Sequence, residues 1–160
     1  MTKAHQGMTI GHVHLKVTDL ERSIVFYRDV MGLDVTQQYG DQAAFLSAGG
    51  YHHHIGLNTW FSKDGPPASK RSPGLFHVAF LYPDRAALAQ ALRTALDAGV
   101  DIEGAADHGV SEALYFSDPD GNGIEIYRDR PEAEWPRNSS GELNMINAPL
   151  DLDALLLEAA

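Results

Sequence analysis

The 160-residue sequence lacks cysteine altogether and is poor in basic residues. Without cysteine, disulfides and thiolate metal sites are excluded. The 12 Lys and Arg residues against 22 Asp and Glu give a formal net charge of −10, which disfavours nucleic acid and anionic membranes as partners, because both attract basic patches. There is no run of 18 apolar residues, and the first residues, MTKAHQGMTIGH, lack the apolar core of a signal peptide. We therefore expect a cytoplasmic protein, and the 44% hydrophobic fraction is that of a globular chain.

The two halves of the sequence repeat one order of predicted elements. In the first half, a strand in GHVHLKV precedes a helix between Asp19 and Gly32, and three short strands follow in LDVTQQYG, QAAFLSAGG and HHHIGLNTW. In the second half, a strand in LFHVAFLY precedes a helix between Asp84 and Gly99, and strands follow in VDIEGA, EALYFS and GIEIYRD. The segment KDGPPASKRSPG reads as the linker. The pattern predicts a duplicated β-α-β-β-β unit.

Three candidate metal ligands lie in separate strand-like segments. His12 is in GHVHLKV, His77 in LFHVAFLY and Glu125 in GNGIEIYRD. Because they are 65 and 48 residues apart, only a fold that unites three strands could make them one site. Two imidazoles and one carboxylate, with positions left open for substrate, are the ligand set of non-haem Fe(II) oxygen enzymes. The three residues therefore predict a site for a divalent metal.

Glu125 gives the sharpest signal of the three. It lies between Ile124 and Ile126, in an otherwise apolar run that ends at Tyr127. Strand alternation places Glu125 and Tyr127 on one face and the two isoleucines on the other. A carboxylate that faces the interior of a protein is costly unless it is paired or coordinates a metal.

Longer motifs carry a family resemblance. The pattern HVHLKVTDLERSIVFYRDVMGL, followed by YFSDPDGNGIEIY, resembles the vicinal oxygen chelate superfamily, which includes glyoxalase I, extradiol dioxygenases, epimerases and antibiotic-resistance proteins. The resemblance spans residues 8–130 and implies an α+β fold. In that fold two β-α-β-β-β modules, at residues 8–60 and 73–130 here, form one open, curled mixed β-sheet barrel with the helices outside and a divalent metal on the inner face. Residues 131–160 would be a C-terminal extension.

The family pattern also implies roles for the histidines. It selects His12 over His14 as the first ligand, with His77 and Glu125 as the others. Glyoxalase I and the epimerases usually add a fourth ligand, and aligning GGYHHHIGL with DGNGIEIY places His54 opposite Glu125. Extradiol dioxygenases instead carry an acid-base histidine in a pattern like H-H-polar-Leu-Ala-Phe, which HHHIGL matches with His53 at the catalytic position. The repeat alignment favours His54 facing inward and the family match favours His53, so both alternatives stay open.

Two further residues point to extradiol chemistry. In extradiol dioxygenases a tyrosine lies ten residues before the ligand glutamate, as Tyr115 does here, and a His-Gly-aliphatic motif lies upstream, resembled by His108 in HGV. His108 lies two residues closer in sequence to the tyrosine and the glutamate than the family pattern has it. In such enzymes both groups hydrogen-bond the substrate's oxygen atoms. We expect His14, His54 and Tyr127 to contribute to substrate binding.

The resemblance therefore implies an Fe(II)-dependent extradiol-type ring-cleaving dioxygenase that acts on a catechol-like aromatic and dioxygen, with Mn(II), Ni(II) or Zn(II) as other metals that would suit the site. The alternatives are a metal-dependent lyase or isomerase of the glyoxalase or epimerase type and a non-catalytic resistance protein that binds a small molecule. Familiar bacterial catechol dioxygenases have four modules, and this chain matches the catalytic half. A homodimer is expected, with Leu152, Leu155 and Leu156 as candidate contact residues.

Overall fold

Two compact units make up the chain, Met1–Pro66 and Pro67–Ala160, in a computed structural model that describes residues 3–159. Each unit contains one four-stranded mixed sheet and one main helical segment, in the order β-α-β-β-β. The α+β class and the two modules predicted from the sequence are therefore confirmed.

The N-terminal unit is built around the sheet order β1-β4-β3-β2. Strand β1 pairs in parallel with β4, while β3 pairs antiparallel with β4 and with β2. Helix α1 follows β1 and continues into a π-helical turn, where one long α-helix was predicted. The bounds are β1 Val13–Lys16, α1 Leu20–Val25, the π-helical turn Phe26–Val30, β2 Asp34–Tyr39, β3 Ala43–Ser47 and β4 Ile55–Asn58.

The C-terminal unit repeats this topology, with the sheet order β5-β8-β7-β6. Strand β5 pairs in parallel with β8, and the remaining pairs are antiparallel. The bounds are β5 Val78–Tyr82, α2 Arg85–Asp97, β6 Gly104–Asp107, β7 Ser111–Ser117, β8 Gly123–Asp129, a 3-10 turn Glu132–Glu134 and α3 Leu152–Leu156.

Side-chain caps begin both main helices at the predicted residues. The Asp19 carboxylate accepts a hydrogen bond from the N–H of Arg22 at 3.0 Å, and the Asp84 carboxylate accepts one from Ala87 at 2.8 Å. Such caps satisfy N–H groups that have no partner within the helix. The strands start slightly later than predicted, so His12 and His77 each lie immediately before the first residue of a strand.

Strand alternation in β8 divides the C-terminal sheet into two faces. Ile124 and Ile126 are almost fully buried, whereas Glu125 and Tyr127 are half-buried on the opposite face. In the neighbouring strand β7, Tyr115 is paired in register with Glu125. The polar face predicted from GIEIY is therefore present, and it carries both Glu125 and Tyr115.

A buried charge cluster lies at the far end of this sheet. The Glu112 side chain is only 5% exposed and forms ion pairs with Arg85 at 2.9 Å, Arg128 at 2.8 Å and Arg130 at 3.3 Å. Arg130 also pairs with Asp107 at 2.6 Å. Removing one partner of such a buried network leaves an uncompensated charge, so the cluster ties β7, β8 and α2 together.

The C-terminal residues pack within the C-terminal unit. Leu155 of α3 is completely buried, and the carbonyl of Leu156 accepts a hydrogen bond from Arg93 of α2 at 3.0 Å. The expectation that Leu155 contacts a second subunit is therefore wrong, because its side chain has no exposed surface in the single chain. The homodimer itself stays a prediction. Within residues 3–159, no helix is long and apolar enough to cross a membrane.

Candidate active site

Two of the predicted metal ligands meet in the C-terminal unit. The Nε2 atom of His77 lies 2.9 Å from Oε2 of Glu125, and their side chains are 32% and 12% exposed. Parallel pairing of β5 with β8 causes this contact, because it places the start of β5 beside the start of β8. A half-buried carboxylate therefore has an imidazole nitrogen as its nearest partner.

The donor set of this pair fits a divalent metal. Two donors bound at right angles to one ion, each at about 2.1 Å, would lie about 3.0 Å apart, close to the separation of His77 and Glu125. The Nδ1 atom of His77 is buried and has no hydrogen-bond partner within residues 3–159. It thus lacks the acceptor that usually orients a metal-bound imidazole. No group of three or more His, Asp or Glu side chains in the described part of the chain is arranged to hold a metal ion.

Tyr115 and His108 extend this pair into a chain of polar contacts. The Tyr115 hydroxyl lies 3.4 Å from Oε1 of Glu125 and 2.8 Å from Nε2 of His108. Burial raises the pKa of Tyr115, and the negative charge of Glu125 raises it further. The phenol therefore keeps its proton at neutral pH and remains a hydrogen-bond donor. His77, Glu125, Tyr115 and His108, all named from the sequence, lie together in one unit.

Tyr127 lies on the same strand face as Glu125, two residues further along β8. Burial raises the pKa of its phenol, with smaller contributions from the carboxylates of Asp129 and Glu125. A neutral phenol on this face can donate a hydrogen bond.

The N-terminal unit holds the other predicted residues in a histidine cluster. The rings of His12 and His53 are 4.4 Å apart between centroids, and the ring of Phe45 lies 5.0 Å from that of His53. Burial lowers the pKa of His53, and the neighbouring imidazole of His12 lowers it further. The sequence predicted a ligand at His12 and a catalytic group at His53, and these two imidazoles are in contact.

His54 makes a different set of contacts. Its Nδ1 atom lies 2.9 Å from the hydroxyl of Ser47, and its ring lies 4.9 Å from that of Tyr51. One imidazole nitrogen of His54 is therefore already engaged within the unit, which leaves Nε2 as the atom available for another role.

His14 packs between aromatic side chains on the same unit. Its ring lies 5.7 Å from Trp60 and 5.9 Å from Phe45. Gly56, its register partner on β4, gives the ring room, because a Cβ there would lie 2.9 Å from the imidazole. Burial lowers the pKa of His14, and His12 lowers it further. His14 therefore contributes a mainly neutral, aromatic surface.

Sequence reasoning missed a residue beside His53. The Nδ1 atoms of His52 and His53 are 2.7 Å apart, so the exposed His52 contacts the predicted catalytic group. A pocket of about 580 Å³ in this unit is lined by Thr36, Gln37, Phe45, His52 and His53. The only sequence signal for His52 was its place in the run of three histidines. The carbonyl oxygen of Ile146, 3.1 Å from Nδ1 of His108, was also missed, because a backbone acceptor leaves no signature in the sequence.

Comparison with known proteins gives relatives of more than one activity. The chain is 41% identical over 163 residues to a catechol-2,3-dioxygenase of Bacillus subtilis (strain 168), a match that covers 99% of this chain and 55% of the relative. It is 29% identical over 121 residues to the metallothiol transferase FosB of Staphylococcus epidermidis (strain ATCC 12228), covering 74% of this chain and 80% of that protein. The chain thus spans about half the length of the dioxygenase and most of the transferase.

Solved structures show the same fold. The crystal structure of a lactoylglutathione lyase from Agrobacterium tumefaciens matches with a TM-score of 0.61 at 23% identity, over 78% of this chain and 96% of that one. The family model of the Glyoxalase/Bleomycin resistance protein/Dioxygenase superfamily matches residues 9–126, which extend from before β1 into β8 and include every predicted site residue except Tyr127. The chain belongs to that superfamily.

Proposed function

We propose that the protein is an Fe(II)-dependent extradiol-type dioxygenase that cleaves a catechol-like ring beside its two hydroxyl groups. The observation that carries the proposal is the chain of contacts from His77 through Glu125 and Tyr115 to His108. The 41% identity to a catechol-2,3-dioxygenase agrees with it. A lyase of the same fold would need the metal donors, but it would not need a phenol and an imidazole beside them to contact two phenolic oxygens.

The proposed metal ligands are Nε2 of His77, the carboxylate of Glu125 and the imidazole of His12. One nitrogen and one oxygen donor already lie 2.9 Å apart in the C-terminal unit, and His12 follows from the sequence pattern. When bound, the metal would supply Lewis acidity and the redox chemistry with dioxygen. Nitrogen and oxygen donors of this kind also bind Mn(II), Ni(II) or Zn(II).

In the proposed reaction, Tyr115 and His108 orient the aromatic substrate. The phenol of Tyr115 keeps its proton because its pKa is raised, and while that hydrogen is directed to His108 its oxygen can accept a hydrogen bond from a substrate hydroxyl beside Glu125. Nε2 of His108, 2.8 Å from that hydroxyl, would hold either the phenol or the substrate oxygen in place. Orientation of this kind accelerates a reaction by placing the reacting groups in a near-attack geometry.

His53 is the proposed acid-base group. Its Nδ1 atom faces His52, so Nε2 is the atom that would take a proton from a catechol hydroxyl and later return it. Phe45 packs against the ring and limits its motion. His14, His54 and Tyr127 would contribute to the binding of the aromatic ring.

A second candidate is a metal-dependent transferase or lyase that uses no dioxygen. The observation in its favour is the 29% identity to the metallothiol transferase FosB, over 74% of this chain. The strand register does not support His54 as its fourth ligand. Val13 pairs with Ile55 as Val78 pairs with Ile124, so Gly56, and not His54, is the counterpart of Glu125 in the first unit.

The test is an oxygen-electrode assay of protein loaded anaerobically with Fe(II), with a panel of catechols. We expect His53→Phe to retain the metal and lose about 10²–10⁴-fold in rate, the usual contribution of a general acid-base group. His77→Ala should lose the metal, and His5→Ala, outside the cluster, should match the unmodified protein. Metal-loaded protein that consumes no oxygen with any catechol would transfer the assignment to the second candidate.

A further inference from the structure

The loop that carries His108 is paired with residues 143–148, which we call the C-terminal strap. Asp107 and Ala148 exchange two backbone hydrogen bonds, of 2.8 and 2.9 Å. Next to them, the N–H of Ile146 donates to the carbonyl of His108 at 3.0 Å. Three backbone bonds therefore fix the strap against Asp107, the last residue of β6, and against His108, which follows it.

The next residue of the loop is a glycine, which its backbone conformation and its close approach to Pro136 favour and which also lies against the strap. Gly109 has a φ of +75°, and a Cβ at this position would lie 2.8 Å from Pro136 and 3.2 Å from Ile146. Its N–H donates to the Asp107 carboxylate at 2.8 Å. The conformation of the loop and the position of the strap thus depend on each other.

The strap also contacts the imidazole of His108 directly. Nδ1 lies 3.1 Å from the carbonyl oxygen of Ile146, and this oxygen can only accept a hydrogen bond. Nδ1 must therefore carry the hydrogen. In a neutral imidazole Nε2 is then a bare acceptor, and the group 2.8 Å from it is the Tyr115 hydroxyl, which must be the donor.

We infer that the C-terminal strap is a positioning element for the site: by accepting from Nδ1 of His108, it selects one imidazole tautomer and thereby directs the Tyr115 hydroxyl toward Nε2. In its absence, the other tautomer would present an N–H to Tyr115, and the phenol would turn its own hydrogen toward Glu125, 3.4 Å away. The consequence for substrate orientation rests on the proposed function; the assignment of the tautomer does not.

The tautomer can be read without any activity. Protein labelled with ¹⁵N in the histidine rings, free of paramagnetic metal, would be recorded in long-range ¹H–¹⁵N spectra at about pH 8.5, where neutral imidazoles predominate. The signals of His108 are assigned by their loss in His108→Gln. We expect a protonated Nδ1 and an unprotonated Nε2, and the opposite pattern in the unmodified protein would overturn the inference.

Two proline variants test the strap as the cause. Ile146→Pro removes the N–H that donates to His108, and Ala148→Pro removes the N–H that donates to Asp107. Each should shift the tautomer ratio of His108 by about fivefold, the equilibrium effect of one typical hydrogen bond. Met145→Pro is the control, because the Met145 N–H makes no backbone hydrogen bond within residues 3–159.

Folded Ile146→Pro and Ala148→Pro proteins with unchanged nitrogen signals would show that the strap does not set the tautomer. If neither variant folds, the spectrum of the unmodified protein decides alone. A protonated Nδ1 together with no oxygen consumption would support this inference and contradict the proposed function. A protonated Nε2 in a protein that consumes oxygen with catechols would contradict this inference and support the proposed function.

Discussion

Gly123→Ala is a sharp test of how the His77–Glu125 pair is built. Gly123 is the first residue of β8, and a Cβ at this position would overlap the backbone carbonyl oxygen of Phe76 and lie 3.1 Å from Cβ of His77. Because a backbone carbonyl cannot move as the end of a flexible side chain can, β5 and β8 would have to separate by about 1 Å at this point. The start of β5 therefore requires glycine beside it.

The expected cost follows from that displacement. Forced overpacking typically destabilises a protein by about 1–3 kcal/mol, and we expect the upper part of this range because the obstacle is main chain. With a urea dependence of about 2 kcal/mol per molar, the unfolding midpoint should fall by about 1–1.5 M. The separation of His77 from Glu125 should also weaken metal binding by about 10- to 100-fold, since sites tolerate little displacement of a ligand.

The assays are urea unfolding followed by circular dichroism, and metal titration of the folded protein. Gly74→Ala is the matched control, because a Cβ there meets nothing within 4 Å and Gly74 does not have a left-handed φ. It should change the free energy of unfolding by no more than about 0.5 kcal/mol. Equal unfolding midpoints for the two variants would refute the reasoning.

Three further predictions concern the C-terminal unit. Glu112→Gln should lower the free energy of unfolding by about 3 kcal/mol in urea unfolding, because it leaves three arginines without their buried carboxylate. Tyr115→Phe should retain the metal and reduce the proposed oxygen consumption about fivefold, because it removes a hydrogen bond and leaves the metal donors intact. Burial opposes ionisation of Asp107, but hydrogen bonds from the Gly109 N–H and Arg130 prevail and lower its pKa. Its stabilisation should therefore be complete above the unfolded-state pKa, about 3.9, and the stability difference from Asp107→Asn should shrink as pH falls below it.

Each of these predictions has a contradicting outcome. Glu132→Gln is the control for Glu112→Gln, because the Glu132 side chain is 76% exposed and lies 3.8 Å from Arg137. If both variants lose the same free energy of unfolding, burial does not explain the effect of Glu112. Loss of metal from Tyr115→Phe would show that Tyr115 supports the donors themselves. A difference between Asp107→Asn and the unmodified protein that grows below pH 4 would reverse the assigned direction of the pKa.

The fold was predictable from the sequence because local signals agree with one another. Asp19 and Asp84 cap helices, strand alternation marks GIEIY, and the same order of elements occurs twice. The boundaries were less predictable. His12 and His77 were placed within strands but precede them, and the helix after β1 changes to π-helical hydrogen bonding at Phe26. Periodicity reports which face a side chain takes, and it does not report where ladder hydrogen bonds begin.

The site was predictable where a side chain's identity carries the chemistry. Glu125 could be named from strand alternation, and Tyr115 and His108 from their resemblance to the dioxygenase pattern; the three side chains form one chain of contacts. Contacts made through the backbone could not be named, as with the Ile146 carbonyl. The sequence also left His53 and His54 as alternatives. Their different partners, His12 for one and Ser47 for the other, depend on the bend before β4 rather than on residue type.

The parallel pairing of β5 with β8 has a consequence for folding order. Parallel neighbours cannot be joined by a tight hairpin, so the first and last strands of the unit can meet only by closing a long loop of chain between them. The contact between His77 and Glu125 spans 48 residues, and loop closure makes such contacts late and slow. A nascent chain that has not yet added Gly123 holds only one of the two donors. Metal capture in this unit would therefore report that the last strand has docked, and chelation would act on that final step.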